Sequence, residues 1–206
     1  MVIHELPFPV VFEQDKQVGY GGDQEWYTQS FQKQAGCASV AGANIAAYYA
    51  AQYPEYSALY SGSTSRFQKA EYLAGMEGMY RSMTPGLFGF PVASRFEKRF
   101  LAFAAARGVT LRSQTMYRGH TADERIRLVK EAIAAGDPIA FLILRHRAPE
   151  LREDNWHWVT ITGWIEDPQG GDKVLFSNCG ARDVRSMDMV FEDHPKNVVR
   201  MVRFVR

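Results

Sequence analysis

Cysteine is nearly absent: Cys37 and Cys179 are the only two in 206 residues. A small secreted scaffold stapled by disulfides needs more, so two reduced thiols in a cytoplasmic protein are expected. Long apolar runs are missing as well. The longest, such as Pro138 to Leu144, are far too short to span a bilayer. Met1 to Phe12 has no basic region and no continuous apolar stretch, so it does not read as a secretory signal. No charge of one sign dominates. Lys and Arg total 24 against 23 Asp and Glu, a formal net charge of +1, which gives no footprint for nucleic acid or another polyanion. Neither GxxxxGK[ST] nor GxGxxG occurs. Cys37, Cys179, His120, His146 and His194 do not fall at metal-ligand spacing. No cofactor, metal or membrane partner is therefore expected.

What is present suits one globular domain over residues 1–206, with 46% hydrophobic residues and 13% aromatics. The chain changes character along its length. Residues 1–35 read as an N-terminal arm with a Gln-bearing loop, 36–136 as mainly helical, and 137–206 as mainly antiparallel strands. Helices are expected over Gly36–Gln52, where Pro54 stops the run, then Ser65–Met83 and Ala93–Arg107. Met76, Met79 and Met83 form a core stripe of the second, and Gly108 caps the third. Thr84 to Pro91 reads as a loop and Val109 to Tyr117 as a strand. Thr121 and Glu124 form a capping box for a helix ending at Gly136. Ile139–Leu144, Asn155–Glu166, Lys173–Asn178 and Val198–Val205 read as strands. DPQGGD (167–172) turns the middle two into a hairpin. Helices first and an antiparallel sheet later is the α+β pattern.

Three residues in this frame suit nucleophilic chemistry. Cys37 sits where the first strong helix begins, and the positive end of a helix lowers a thiol's pKa. His157 opens an alternating strand, with Val159, Ile161 and Gly163 on its face and Trp156, Trp158, Thr160 and Thr162 on the other. Asn178 ends the return strand, where hairpin pairing brings it beside His157. An amide oxygen there fixes the ring's tautomer and plane. A register slip of one residue puts Ser177 there instead. The charged run Arg145 to Asp154 leads into His157 and is placed as a solvated loop or one rim of a cleft.

The segments GCASVAGANIAAYYA, NWHWVTITGW and VLFSNCG resemble the Cys helix, His strand and Asn strand of papain-like cysteine peptidases. They are most similar to bacterial peptidase C39-like and related papain-like proteins, over somewhat under a third of the chain. The resemblance implies a papain-like fold, with a helical half carrying the nucleophile helix packed on a C-terminal antiparallel sheet. It implies Cys37 as nucleophile, His157 as general base and acid, and Asn178 as orienter, acting on peptide or amide bonds of a peptide or protein substrate. Two departures stand out. Papains place an aromatic between the Asn and the following Gly, whereas here Cys179 alone separates them. The oxyanion Gln normally lies shortly before the Cys, and Gln24, Gln29, Gln32 and Gln34 all precede Cys37 at other spacings. GYGGDQEWY resembles the Gly-Gly-x-Gln-x-aromatic segment of the bacterial relatives, which favours Gln24 with Gln34 second. Two alternatives keep the same residues: a papain-like binding module without turnover, and an acyltransferase of transglutaminase-like type.

Overall fold

A computed structural model of the protein describes residues 1–86 and 89–206. Its strands are β1 (Val2–Glu5), β2 (Val10–Glu13), β3 (Lys16–Tyr20), β4 (Phe67–Gln68), β5 (Arg112–Met116), β6 (Ile139–Arg145), β7 (His157–Glu166), β8 (Lys173–Asn178), β9 (Ala181–Ser186) and β10 (Val198–Val205). Its helices are α1 (Ser30–Ala35), α2 (Cys37–Gln52), α3 (Lys69–Met83), α4 (Ala93–Ala105), α5 (Ala122–Ala134) and α6 (Met187–Val190). The class is mixed helix and sheet, with a large antiparallel sheet as its frame.

That sheet has seven strands in the order β5-β10-β6-β7-β8-β9, with β1 joining β7. One edge of β7 pairs with β6 from His157 to Ile161 and with β1 from Gly163 to Glu166. The register shifts between Ile161 and Gly163, which interrupts the strict alternation expected along β7. A smaller sheet, β3-β2-β4, carries the N-terminal segment.

Helix α2 is buried at every position from Cys37 to Ala50. A helix that is apolar all round belongs in the interior, and its small residues let neighbours approach closely. A Cβ on Gly42 would already meet Met79 Sδ at 3.0 Å. Met76, Met79 and Met83 of α3 are fully buried, as the core stripe required. On the sheet side α2 lies over β7 and β6. Helix α4 lies over the same face, where Phe96 stacks on Trp158 at 4.3 Å and Phe100 on Phe204 at 4.1 Å. Buried Asp137 fastens the far end. It accepts from Arg203 at 2.7 Å, Arg206 at 3.2 Å and the Tyr49 hydroxyl at 3.2 Å.

Local signals fixed several ends. Gly108 and Gly136 both take left-handed φ. The next residues, Val109 and Asp137, donate back to Ala104 and Ala132 in Schellman closures. Thr121 and Glu124 form the reciprocal capping box. The hairpin β7–β8 and the strand β10 fall where expected.

Other expectations are corrected. Residues 1–35 are not an arm: β1 joins the main sheet and β2–β3 form a hairpin. The second helix begins at Lys69, because Phe67 and Gln68 pair in parallel with β2. Strand β7 starts at His157, since Trp156 holds φ 64° and is exposed. Strand β9 and helix α6 were not foreseen. The expected loop 84–91 is confirmed at its described positions, and Leu87 and Phe88 lie outside the described residues.

Candidate active site

Cys37 is the first residue of α2, so its backbone N–H has no intrahelical acceptor. It lines one narrow pocket with His157. Burial pushes the Cys37 thiol up, but the hydrogen bond and charge of His157 outweigh it, helped by the backbone N–H groups of Trp158 and Ala38. The thiol therefore lies below the ordinary value. Burial likewise pushes His157 down. Its contacts with Cys179 and Cys37 outweigh that and hold the imidazole well above its usual value. Both shifts run in the direction that favours a thiolate beside an imidazolium.

Asn178 fixes the ring. The distance from His157 Nε2 to Asn178 Oδ1 is 2.9 Å. An amide oxygen only accepts, so Nε2 carries a proton, and Nδ1 is left for Cys37. The amide's own orientation is set from behind, because Asn178 Nδ2 donates to Asp154 Oδ1 at 2.9 Å. Ser177 points elsewhere. Its hydroxyl donates to the Tyr20 carbonyl at 2.6 Å and accepts from Asn44 at 3.2 Å. The register is therefore the one that puts Asn178, not Ser177, on the histidine.

The single residue between Asn178 and Gly180 has a structural cause. Strands β8 and β9 pair through Asn178↔Ala181, leaving Cys179 and Gly180 as a two-residue hairpin loop. Both have positive φ, 45° and 73°, the signature of a type I′ turn. This aims the exposed Cys179 thiol back at the ring, 3.6 Å from His157 Nε2. Both cysteines are free.

Gln24 lies in a short 3-10 turn, Gln24–Trp26, which the Asp23 side chain caps by accepting from Glu25 N–H. It shares a narrow pocket of about 10 Å³ with Cys37 and His157. Among the described residues its side-chain amide has no hydrogen-bond partner, and its Oε1 is buried. Gln34, the second choice, is exposed on α1 and does not reach the pocket.

A wider cavity of about 350 Å³ opens above, walled by Gln24, Glu153, Asp154, His157 and Asn178. The end of the charged run is thus one rim of the cleft. Two larger cavities, of about 660 and 650 Å³, contain none of these residues.

Asn44 escaped the sequence reading. Fully buried in α2, it uses every hydrogen-bonding site of its amide. Oδ1 accepts from Gly22 N–H and the Tyr72 hydroxyl, both at 2.8 Å. Nδ2 donates to Ser177 at 3.2 Å and reaches Thr160 at 3.5 Å. It therefore ties the Gln24-bearing segment, α3, β7 and β8 to the nucleophile helix. The available signal was a polar, helix-disfavoured residue inside an Ala-rich apolar run. Gly21 serves the same junction. Its φ is 74°, and a Cβ there would collide with Ser177 and Asn44.

Among the described residues no group of three His, Cys, Asp or Glu is placed to hold a metal ion. No helix of the described residues is long and apolar enough to cross a membrane. Compared with models of known protein families and with curated proteins, the chain matches none.

Proposed function

We propose that the protein is a papain-like cysteine hydrolase that cleaves peptide or amide bonds through a thioester. The observation that carries this reading is the pocket shared by Cys37, at a helix start, and His157, whose Nε2 lies 2.9 Å from the Asn178 amide oxygen. A histidine with Nε2–H committed to Asn178 presents Nδ1 to Cys37, the arrangement needed to move one proton between sulfur and a leaving amine.

The steps follow from the groups present. Cys37 thiolate attacks the substrate carbonyl carbon, and the carbonyl π pair moves onto oxygen. The side-chain amide of Gln24 and the Cys37 backbone N–H stabilise that oxyanion. Collapse expels the amine, which takes a proton from the His157 imidazolium and leaves a thioester on Cys37. Water then attacks the thioester as His157 takes its proton. The second collapse releases the carboxylic acid and restores the thiolate–imidazolium pair.

One observation favours the alternative of a binding module without turnover: the space immediately at Cys37 is only about 10 Å³. A single experiment separates the two. Wild type and Cys37→Ala are incubated with a broad peptide library and a thiol-reactive probe. Hydrolase activity requires cleavage and fast labelling in wild type alone. Gln24→Ala then lowers turnover about 10²- to 10³-fold, the usual loss for one oxyanion donor. Identical product profiles, with Cys37 labelling no faster than a free thiol, transfer the assignment to the binding module.

A further inference from the structure

A second concave site lies on the same face and end of the sheet as Cys37. It is a cavity of about 650 Å³ between the start of α4 and the ends of β5, β6 and β10. Its walls include Arg118, Arg200, His120 and Ser94. Among the described residues neither arginine meets a carboxylate. Arg200 gives one N–H to the Val199 carbonyl at 2.7 Å, and Arg118 makes no side-chain hydrogen bond. The nearby acids are engaged otherwise. Glu97 accepts from Ser113 and Tyr117, Glu124 closes the capping box and faces His120, and Asp193 holds Arg125. Burial, then repulsion from Arg118 and Arg125, lowers the pKa of Arg200. Arg118 and Arg200 thus line one cavity with no carboxylate paired to either, an arrangement that an entering anion would complete.

The sheet register locates this cavity relative to the candidate active site. Arg200 pairs with Leu142, and Leu142 pairs with Trp158, the residue after His157. Cross-strand partners share a face, and two strand spacings are about 10 Å. Trp158 stacks on α4, and Thr160, two residues on, meets Asn44 of α2, so both helices pack on this face. Val92 gives no side-chain cap to α4, and among the described residues the backbone N–H groups of Ala93 and Ser94, which line the cavity, have no acceptor.

We propose that this cavity is a subsite for an anionic group of the substrate, a carboxylate or a phosphate, held by Arg118 and Arg200, the Arg200 backbone lying about 10 Å from that of Trp158 beside His157. The role as a substrate subsite rests on the hydrolase reading. The anion binding does not, and the test separates them.

Inorganic phosphate and succinate are titrated calorimetrically into Cys37→Ala protein, in which turnover is silent. Saturable binding of at least one is expected, and the tighter anion tells phosphate from carboxylate. Arg118→Gln and Arg200→Gln should each weaken it about tenfold, Arg200→Lys should recover part of the loss, and Arg112→Gln should change nothing. Arg118 is exposed, so its variant keeps the test valid if Arg200→Gln fails to fold. Absence of saturable binding by either anion overturns the proposal, as does equal binding by the Arg118/Arg200 double variant. In the active protein, peptides with an acidic residue near the scissile bond should show a lower KM than neutral ones, and Arg118→Gln should remove that difference. Anion binding lost in the arginine variants, with no peptide cleaved, keeps the site and removes the hydrolase reading instead.

Discussion

Replacing Asn44 with leucine keeps the side chain's size and removes all four of its polar contacts. The cost follows from what is stranded. Ser177 keeps its bond to the Tyr20 carbonyl. The Gly22 N–H and the Tyr72 hydroxyl have no other acceptor among the described residues, and Tyr72 is itself fully buried. Each stranded buried donor costs about 1–3 kcal/mol, so Asn44→Leu should destabilise by roughly 2–6 kcal/mol. For a domain of this size that is a drop in Tm of about 4–24 °C. Urea denaturation in the Cys37→Ala background measures it without interference from the reactive thiol. Tyr72→Phe supplies the control, because it deletes one of the two donors in advance. In that background Asn44→Leu should cost about 1–3 kcal/mol less than in the parent. Activity should fall further than stability explains, since Gly22 is two residues from Gln24. A loss below about 1 kcal/mol for Asn44→Leu, or no coupling with Tyr72→Phe, would refute the role of Asn44 as the polar junction of the site.

Labelling of Cys37 should persist to lower pH than that of an ordinary thiol. The thiolate fraction falls only as pH drops through a lowered pKa, so the rate–pH curve sits on the acid side of an ordinary thiol. His157→Ala leaves burial unopposed by the imidazolium, and the same curve should move to the alkaline side. Turnover should disappear in His157→Ala and fall less in Asn178→Ala, which orients rather than reacts. Ser177→Ala should mainly lower stability, by about 1 kcal/mol or more, because its hydroxyl serves Tyr20 and Asn44. A Ser177→Ala variant with lost rate and full stability contradicts that assignment. Cys179 holds φ 45° in a type I′ turn, where glycine is unstrained. Cys179→Gly should therefore keep the fold at no net loss or gain up to about 1 kcal/mol in thermal melts. A loss above about 2 kcal/mol would mean that the thiol's contact with His157 Nε2 outweighs the relief of turn strain.

Short-range chemistry was legible in the sequence. The start of α2 at Cys37, the capping box of α5, the glycine closures at Gly108 and Gly136, and the turn between β7 and β8 depend on residues within a few positions of one another. The turn alone did not decide the partner of His157: the register shift between Ile161 and Gly163 puts Asn178 rather than Ser177 on the histidine's face. The rest depended on partners distant in the chain. Residues Val2 to Tyr20 have no strong pattern of their own, and they become strands because β7 and β4 offer edges to pair with. The resemblance of GYGGDQEWY ranked Gln24 ahead of Gln34, and folding put the first in the pocket and the second in solvent. Asn44 became a four-bond junction because Gly22, Tyr72, Thr160 and Ser177 converge on it from 22 to 133 positions away. Arg118 and Arg200 share a cavity because β10 pairs with β5 and β6, a long-range registry that local propensity and hydrophobic period leave undetermined.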